Sequence, residues 1–413
     1  MKILRDYQMG AVRYLRKHNG GALFISMRLG KTLCTVRYLQ MKRDVKRIII
    51  IAPYSTFNSW LNENPAINKI DINSLRIDYS TMPGWFIINK EAHLRTHFLQ
   101  FQWDAVIIDE SFIQNPKAKI TKYILRFTRN IPIRILLTGT PAPESQLQYY
   151  TQLAFLFPGV FGVKNFWEYR ARYARPFIYE WRLTPQGLIK LEKVLREKCF
   201  VLTCKDVRLY PQPVYEKRII HLSDMSTYKK AERDCLDSED NILKFSGQRW
   251  NHCRRLCSGK EKEKELSELL NGELAGKQII IWAFYIEEIN KLRLLLRAPA
   301  IYGDVDVNAR NKIVSSFNEG MIKYLIIQPE TMKFGADLSA ADTAIYFSSP
   351  VGLLSRQQSE ARIINTTRKY PVLIIDLIAQ NTVEEDIIES LHKKENSQKL
   401  LERVKNGIYG RND

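Results

Sequence analysis

The stretch Gly21 to Thr32, GALFISMRLGKT, constrains the fold more than any other part of the chain. Ala22 to Ile25 is a short apolar run of the kind that forms a buried parallel strand. A turn follows, then Gly30-Lys31-Thr32, then the apolar-periodic run Leu33 to Leu39. Strand, tight loop and helix, with Gly-Lys-Thr at the helix start, is the layout of a phosphate-binding loop. Backbone N–H groups around Leu29 and Gly30 would cradle phosphate oxygens. Lys31 would supply a point charge to the β- and γ-phosphates, and the Thr32 hydroxyl would ligate Mg2+. Ile25 stands where the usual pattern carries its first glycine. On this tripeptide alone, an ordinary helix start with a solvated lysine reads equally well, so the rest of the chain must decide.

A length of 413 residues allows two to three domains, and 45% hydrophobic residues support sizeable cores. The formal net charge of +19 points to a polyanionic partner, of which nucleic acid is the commonest, against the alternative of a generally basic protein. No apolar run reaches membrane-spanning length, and MKILRDYQMG lacks the apolar core of a signal peptide. The six cysteines are scattered, which suggests no disulfide framework and a reduced, cytoplasmic compartment. His252, Cys253 and Cys257 lie close together, but the two cysteines fit one face of a helix, and no second ligand pair follows at zinc-finger spacing.

Taken in order, Leu4 to Leu15 carries apolar residues at helical spacing and includes Gln8, whose amide could donate to and accept from an adenine edge. Arg47 to Ala52 (RIIIIA) is a second buried strand, and Gly84 to Asn89 a third. Ala105 to Ile108 is a fourth, ending in Asp109-Glu110. A carboxylate pair at the carboxyl end of a buried strand sits where open α/β sheets bind ligands. Asp109 would hold Mg2+ and Glu110 would polarise the attacking water; a solvated acidic turn is the plainer reading. Ile135 to Leu137 precedes Thr138-Gly139-Thr140-Pro141, a tight polar loop suited to sensing a γ-phosphate. From Phe155 to Leu183, aromatics alternate with arginines, among them Trp167, Arg170, Arg172, Arg175 and Trp181. That segment fits a nucleic-acid grip and a helical core with a basic exterior equally well. Ser226 to Leu270 is charge-rich and helical, and a second α/β pattern runs from Gln278 to a closing helix at Thr382 to Leu401. The fold class is therefore α/β with doubly wound parallel sheets and helical insertions.

The segments LRDYQMGAVRYL, MRLGKT, IIIIAPYSTFNSW, VIIDESF with IQNPKAKITK, LLTGTPAPES and LAFLFPGVFG come in sequence. QIIIWAFYIEEINKL, FGADLSAADTAIYF, QQSEARIINTTRKYPV and DLIAQNTVEEDII follow. In that order they resemble the Swi/Snf-like branch of superfamily 2 helicases over nearly the full chain. The resemblance implies two RecA-like lobes, with ATP in the cleft between them and DNA across both. It implies an N-terminal lobe over 1–205 with a protrusion at about 150–200, a helical insertion and connector over 206–262, and a C-terminal lobe over 263–413. Gln8 then falls on the adenine-reading glutamine, Leu29 to Thr32 on the phosphate loop, and Asp109 and Glu110 on the Mg2+ and water-activating pair. Thr138, Gly139 and Thr140 fall on the coupling loop, Gly335 and Asp337 on a second-lobe loop facing ATP, and Gln358 and Arg362 on the last motif.

Two positions depart from the family. Arg28 stands where glycine is usual, and an arginine does not take a glycine-only backbone conformation cheaply. Asn365 stands where a second arginine usually supplies charge to the γ-phosphate, with Arg362, Arg356 or Arg368 as substitutes. The implied activity is an ATP-driven DNA translocase or helicase using ATP and Mg2+, monomeric, gripping duplex or branched DNA through its phosphates. The layout is similar to compact viral or bacterial members that act in DNA replication or recombination. A catalytically weak nucleic-acid-binding relative and an RNA helicase are the other readings.

Overall fold

The computed structural model of the chain describes residues 3–70, 82–91, 102–177, 180–207, 211–234, 246–334, 336–364 and 368–392. These fall into two compact units, the first within Met1–Arg208 and the second within Leu209–Glu395.

The first unit is organised by its apolar runs. Its strands are β1 (Gly21–Ile25), β2 (Arg47–Ala52), β3 (Ile67–Lys69), β4 (Gly84–Asn89), β5 (Ala105–Asp109), β6 (Ile133–Thr138), β7 (Ala174–Phe177), β8 (Glu180–Leu183) and β9 (Cys199–Leu202). β1 and β5 are buried at every residue, as parallel strands are when helices cover both faces of the sheet. Among the described residues the order is β3-β4-β2-β5-β6-β1-β9, all neighbours parallel. Phe24, Ile49, Val106 and Leu136 face one core with Tyr149, Leu153, Leu191 and Leu195 from the helices Tyr149–Leu156 and Pro185–Lys198. Their sequence neighbours Leu23, Ile50, Ile107 and Ile135 are also fully buried and, by the period of two, belong to the opposite face. The register pairs Phe24 with Thr138 and Asp109 with Leu137, so β1, β6 and β5 end side by side.

β7 and β8 form a separate antiparallel hairpin between the helices Phe166–Tyr173 and Pro185–Lys198. The stretch at about 150–200, expected to be helical, thus contains a hairpin as well.

The second unit contains β10 (Val214–Ile220), β11 (Ile279–Trp282), β12 (Ala300–Ile301), β13 (Tyr324–Ile327), β14 (Thr343–Tyr346) and β15 (Leu373–Ala379). They form a parallel sheet in the order β10-β15-β14-β11-β13-β12. β10 lies in the stretch read from sequence as insertion and connector. Its sequence, VYEKRII, leaves Val214, Tyr215 and Ile219 exposed, as suits an edge strand. The helices Met225–Asp234, Ser246–Leu256 and Lys260–Asn271 follow. Ile279, Ile281, Ile345 and Ile375 pack against Leu266, Leu269, Ile289 and Leu292 on one face. Ile280, Trp282, Tyr346 and Ile374 pack against Phe317 and Ile363 on the other. Among the described residues, no helix is long and apolar enough to cross a membrane.

Lys262 ties the helix Lys260–Asn271 to this sheet. It is fully buried, and its Nζ donates to Glu384 Oε1 at 2.6 Å and to Phe347 O at 2.8 Å. The other Glu384 oxygen accepts from Ala379 N–H at 2.8 Å. Burial pushes the Glu384 carboxyl upward, and the Lys262 charge opposes that shift. Removing one partner would strand the other as an unpaired buried charge. Lys262→Met should therefore destabilise the second unit by about 3–5 kcal/mol in denaturant titration, and Lys262→Met with Glu384→Leu should recover much of the loss. A single variant as stable as the parent would show that the pair holds nothing in place.

Candidate active site

The site is built outward from the turn that follows β1. Lys31 opens the helix Lys31–Gln40 and is buried at 8% exposure; its Nζ donates to Ile25 O at 3.0 Å, back across the loop. Gly30 is the N-cap, with φ 86, in the left-handed region. A Cβ there would meet the Gln8 side-chain amide, which could shift, so it is the left-handed conformation that favours glycine. Gln8, on the helix Asp6–His18, donates through Nε2 to Leu29 O at 3.2 Å and accepts at Oε1 from Arg5 N–H at 2.9 Å. Its amide retains one hydrogen and one lone pair for a further partner. Arg28 takes φ 64, so the arginine does adopt the left-handed conformation that its position usually gives to glycine.

Asp109 ends β5 as a buried carboxylate, 3% exposed. Its Oδ2 accepts from the Trp60 indole N–H at 2.8 Å, and its Oδ1 from Glu110 N–H at 3.0 Å. Burial raises its pKa. The Trp60 hydrogen bond, the Lys31 charge, the Thr56 hydroxyl and Glu110 N–H pull it back. Trp60 is fully buried on the helix Phe57–Glu63 and did not stand out in the sequence. The one available signal was its place after the strand-ending Pro53, in the quoted IIIIAPYSTFNSW. Glu110 is half-buried and carries φ 49, a strained conformation for glutamate. After β6, Thr138 Oγ1 accepts from Thr140 N–H at 3.1 Å, and Gln114 Nε2 donates to Thr140 O at 3.2 Å. A Cβ on Gly139 would come within 3.3 Å of Met27 N, so this loop lies against the phosphate loop.

The first unit therefore brings together Gln8, Gly30, Lys31, Asp109 and the Thr138–Thr140 loop, with Thr32 and Glu110 adjacent in the chain. A helix start capped by a left-handed glycine, a buried lysine and a buried carboxylate fit a nucleotide phosphate chain. One carboxylate with one hydroxyl suits Mg2+, which keeps waters and takes phosphate oxygens for the rest. Asp109 and Thr32 are the residues that would hold the ion.

In the second unit, Gln358 and Arg362 are half-buried on the helix Leu353–Ile363. Asp337 Oδ1 accepts from Ser339 N–H at 3.2 Å. Gly335 and Asn365 lie outside the described residues. Two of the substitute arginines are corrected by their contacts. Arg356 is 4% exposed, donates to both Asp376 oxygens at 2.6 and 2.9 Å and to Glu360 Oε1 at 2.5 Å, and lies 3.5 Å from the Tyr346 ring centroid. Arg368 donates to Ile363 O at 3.2 Å, to Ser339 O at 2.6 Å and to Ala341 O. Both guanidinium groups hold their own unit together.

The aromatic segment proves to have two layers. Phe161 and Tyr169 are buried, and with Tyr150 they form a ring cluster with centroids 4.7–5.7 Å apart. Outside them, Arg170 lies 4.1 Å from the Trp181 ring and 4.9 Å from that of Trp167, which is 47% exposed.

Comparison with known proteins gives concordant matches. The model of the SNF2-related domain matches residues 7–280, and that of the helicase conserved C-terminal domain matches 261–367. Over 94% of its length the chain is 24% identical to the mouse (Mus musculus) SWI/SNF-related matrix-associated actin-dependent regulator of chromatin subfamily A member 1, spanning 42% of that protein. Over 95% of its length it is 23% identical to the chicken (Gallus gallus) chromodomain-helicase-DNA-binding protein 1, spanning 26% of it. The chain thus spans less than half the length of these relatives. A solved Sulfolobus solfataricus SWI2/SNF2 ATPase core in complex with dsDNA aligns with TM-score 0.49 and 20% identity, over 98% of this chain and 97% of that one.

Trp60 gives a direct handle on the buried carboxylate of Asp109. Trp60→Phe removes a hydrogen bond to a charged, buried group and should cost about 1.5–3 kcal/mol of stability. It should also raise the Mg2+ concentration needed for half-maximal nucleotide binding, because Asp109 loses the donor that orients it. Unchanged Mg2+ dependence would show that the indole serves packing alone.

Proposed function

The chain belongs to the SNF2-related family of superfamily 2, and from that premise we propose that it is a DNA-dependent ATPase that moves along or remodels duplex or branched DNA. The observation that carries this reading is the set of side chains at the carboxyl ends of β1, β5 and β6. Lys31 and the backbone of Leu29 and Gly30 hold the phosphates, Gln8 meets the base, and Thr32 and Asp109 hold Mg2+. Glu110 draws a proton from the attacking water, and Thr138, Gly139 and Thr140 report the γ-phosphate to the rest of the chain. In the second unit Arg362 contributes to turnover, with Gln358, Gly335 and Asp337 as its companions in the family's motifs. Arg362→Ala should then lower turnover far more than nucleotide affinity.

DNA is favoured as the track on two grounds. The net charge of +19 favours a polyanionic partner, and a relative matched over nearly the whole chain is named as DNA-binding. Phosphate contacts would supply the affinity, with little dependence on base sequence. Arg170, Arg172 and Arg175 in the outer layer of the protrusion would add to the grip.

The test is ATP hydrolysis stimulated by equal nucleotide concentrations of duplex DNA, forked DNA, single-stranded DNA and RNA, across a salt series. Duplex or forked DNA should stimulate most. DNA affinity should fall by roughly 10³-fold or more between 50 and 200 mM salt if six or more phosphates are neutralised. Stimulation by RNA alone, or binding indifferent to salt, would overturn the reading.

A further inference from the structure

Arg170 is held in the first unit in a way that uses its faces and leaves its edge open. It follows Trp167 by three residues on the helix Phe166–Tyr173, a spacing that puts both side chains on one face. Its guanidinium carbon lies 4.9 Å from the Trp167 ring centroid and 4.1 Å from that of Trp181 on β8, so two indoles flank one cation. A planar guanidinium stacked by its faces keeps its N–H donors at its rim. Neighbouring arginines spend those donors: Arg175 Nη1 donates to Ala171 O at 3.0 Å and to Ala174 O at 2.8 Å, and Arg182 Nε donates to Glu180 Oε1 at 2.5 Å. Among the described residues Arg170 has no hydrogen bond and no ion pair.

The scaffold under this cluster is fixed. Tyr169, between Trp167 and Arg170 in the chain, is fully buried against Phe161 and Tyr150. Thr184 N–H, just after β8, donates to Tyr173 O at 2.8 Å and ties the end of the hairpin to the end of the helix. Trp167 is nevertheless 47% exposed, and Lys117, from the segment that follows Asp109 and Glu110, lies 5.5 Å from its ring centroid. One patch therefore offers an open indole, a pre-oriented set of N–H donors and a second cation. Duplex DNA turns its phosphates outward but keeps its base faces inside the stack. An unpaired nucleotide presents a phosphate and a base face together, and this pairing of chemistries is what the patch complements. An acidic peptide would engage the cations and leave the indole without a stacking partner.

We propose that Trp167, Arg170 and Trp181 form a site for an unpaired nucleotide of DNA: the base stacks on the Trp167 indole, a phosphate meets the Arg170 N–H rim, and Trp181 holds the guanidinium in place. This assignment deepens the proposed function and rests on DNA being the track. The test is fluorescence anisotropy of the intact chain with a single-stranded oligonucleotide, a forked duplex with unpaired arms and a blunt duplex, over a salt series, with thermal unfolding of each variant alongside. Trp167→Ala should bind the single strand and the fork roughly 10-fold or more weakly, with blunt-duplex affinity and unfolding temperature unchanged. Trp167→Phe keeps a ring and should retain much of the single-strand affinity. Arg170→Gln should also weaken the single strand and reduce its slope of log affinity against log salt by about 0.7. Equal loss on all three DNAs, or no loss on the single strand in a folded Trp167→Ala, overturns the proposal. So does an equal weakening of binding to a poly-glutamate peptide by Trp167→Ala, which would make the occupant an acidic protein segment. If the parent binds none of the three DNAs, the DNA reading fails and this site with it; parental binding without the selective loss fails the site alone.

Discussion

A lysine and a carboxylate, each almost wholly buried at the same edge of a sheet, are the constraint on which the first unit depends. Neither charge is tolerable in an apolar interior without partners. Lys31 is met by the Ile25 carbonyl, and Asp109 by the indole of Trp60 and by Glu110 N–H. Those contacts require β1 to turn back on itself within a few residues. That turn is made with left-handed backbone at Arg28 and Gly30. The parallel register supplies the rest by ending β5, β6 and β1 together, which places Asp109, Thr138 and the loop on one rim. Ligands of open α/β sheets bind at such rims.

The second unit uses buried charge for a different purpose. Arg356, Asp376 and Glu360 form a closed cluster in which each charged group has its partner within hydrogen-bond distance. Burial raises the Glu360 carboxyl, and Arg356 opposes that shift. Lys262 with Glu384 repeats the arrangement at the junction of the helix Lys260–Asn271 with the sheet. These clusters lock helices to strands, and an arginine so engaged is not available to a nucleotide.

Much of the fold was legible because continuous apolar runs such as RIIIIA and AVIID have one common solution, a strand covered on both faces. The exceptions each had a physical reason. β10 is a half-exposed edge strand whose charges, Glu216, Lys217 and Arg218, concealed its alternation. β3 is a three-residue edge strand, too short to show a period. β7 and β8 carry the same aromatic-basic composition as the helix before them, and composition alone does not separate a hairpin from a helix. In the site, Gly30, Lys31 and Asp109 stood out because their chemistry is local to a short motif. Trp60 did not, because its partner is 49 residues away and the link is made by the fold. The left-handed conformation of Arg28 was likewise a matter of tertiary anchoring by Gln8, Leu202 and Gly139.

In the proposed reaction Lys31 and Asp109 act with Glu110, which activates the water. Steady-state hydrolysis by the intact chain and by Glu110→Gln, with Mg2+ and duplex DNA, tests it most directly. The parent should turn over ATP, and the variant should be slower by roughly 10²-fold or more while still binding nucleotide. Equal rates in parent and variant would contradict it.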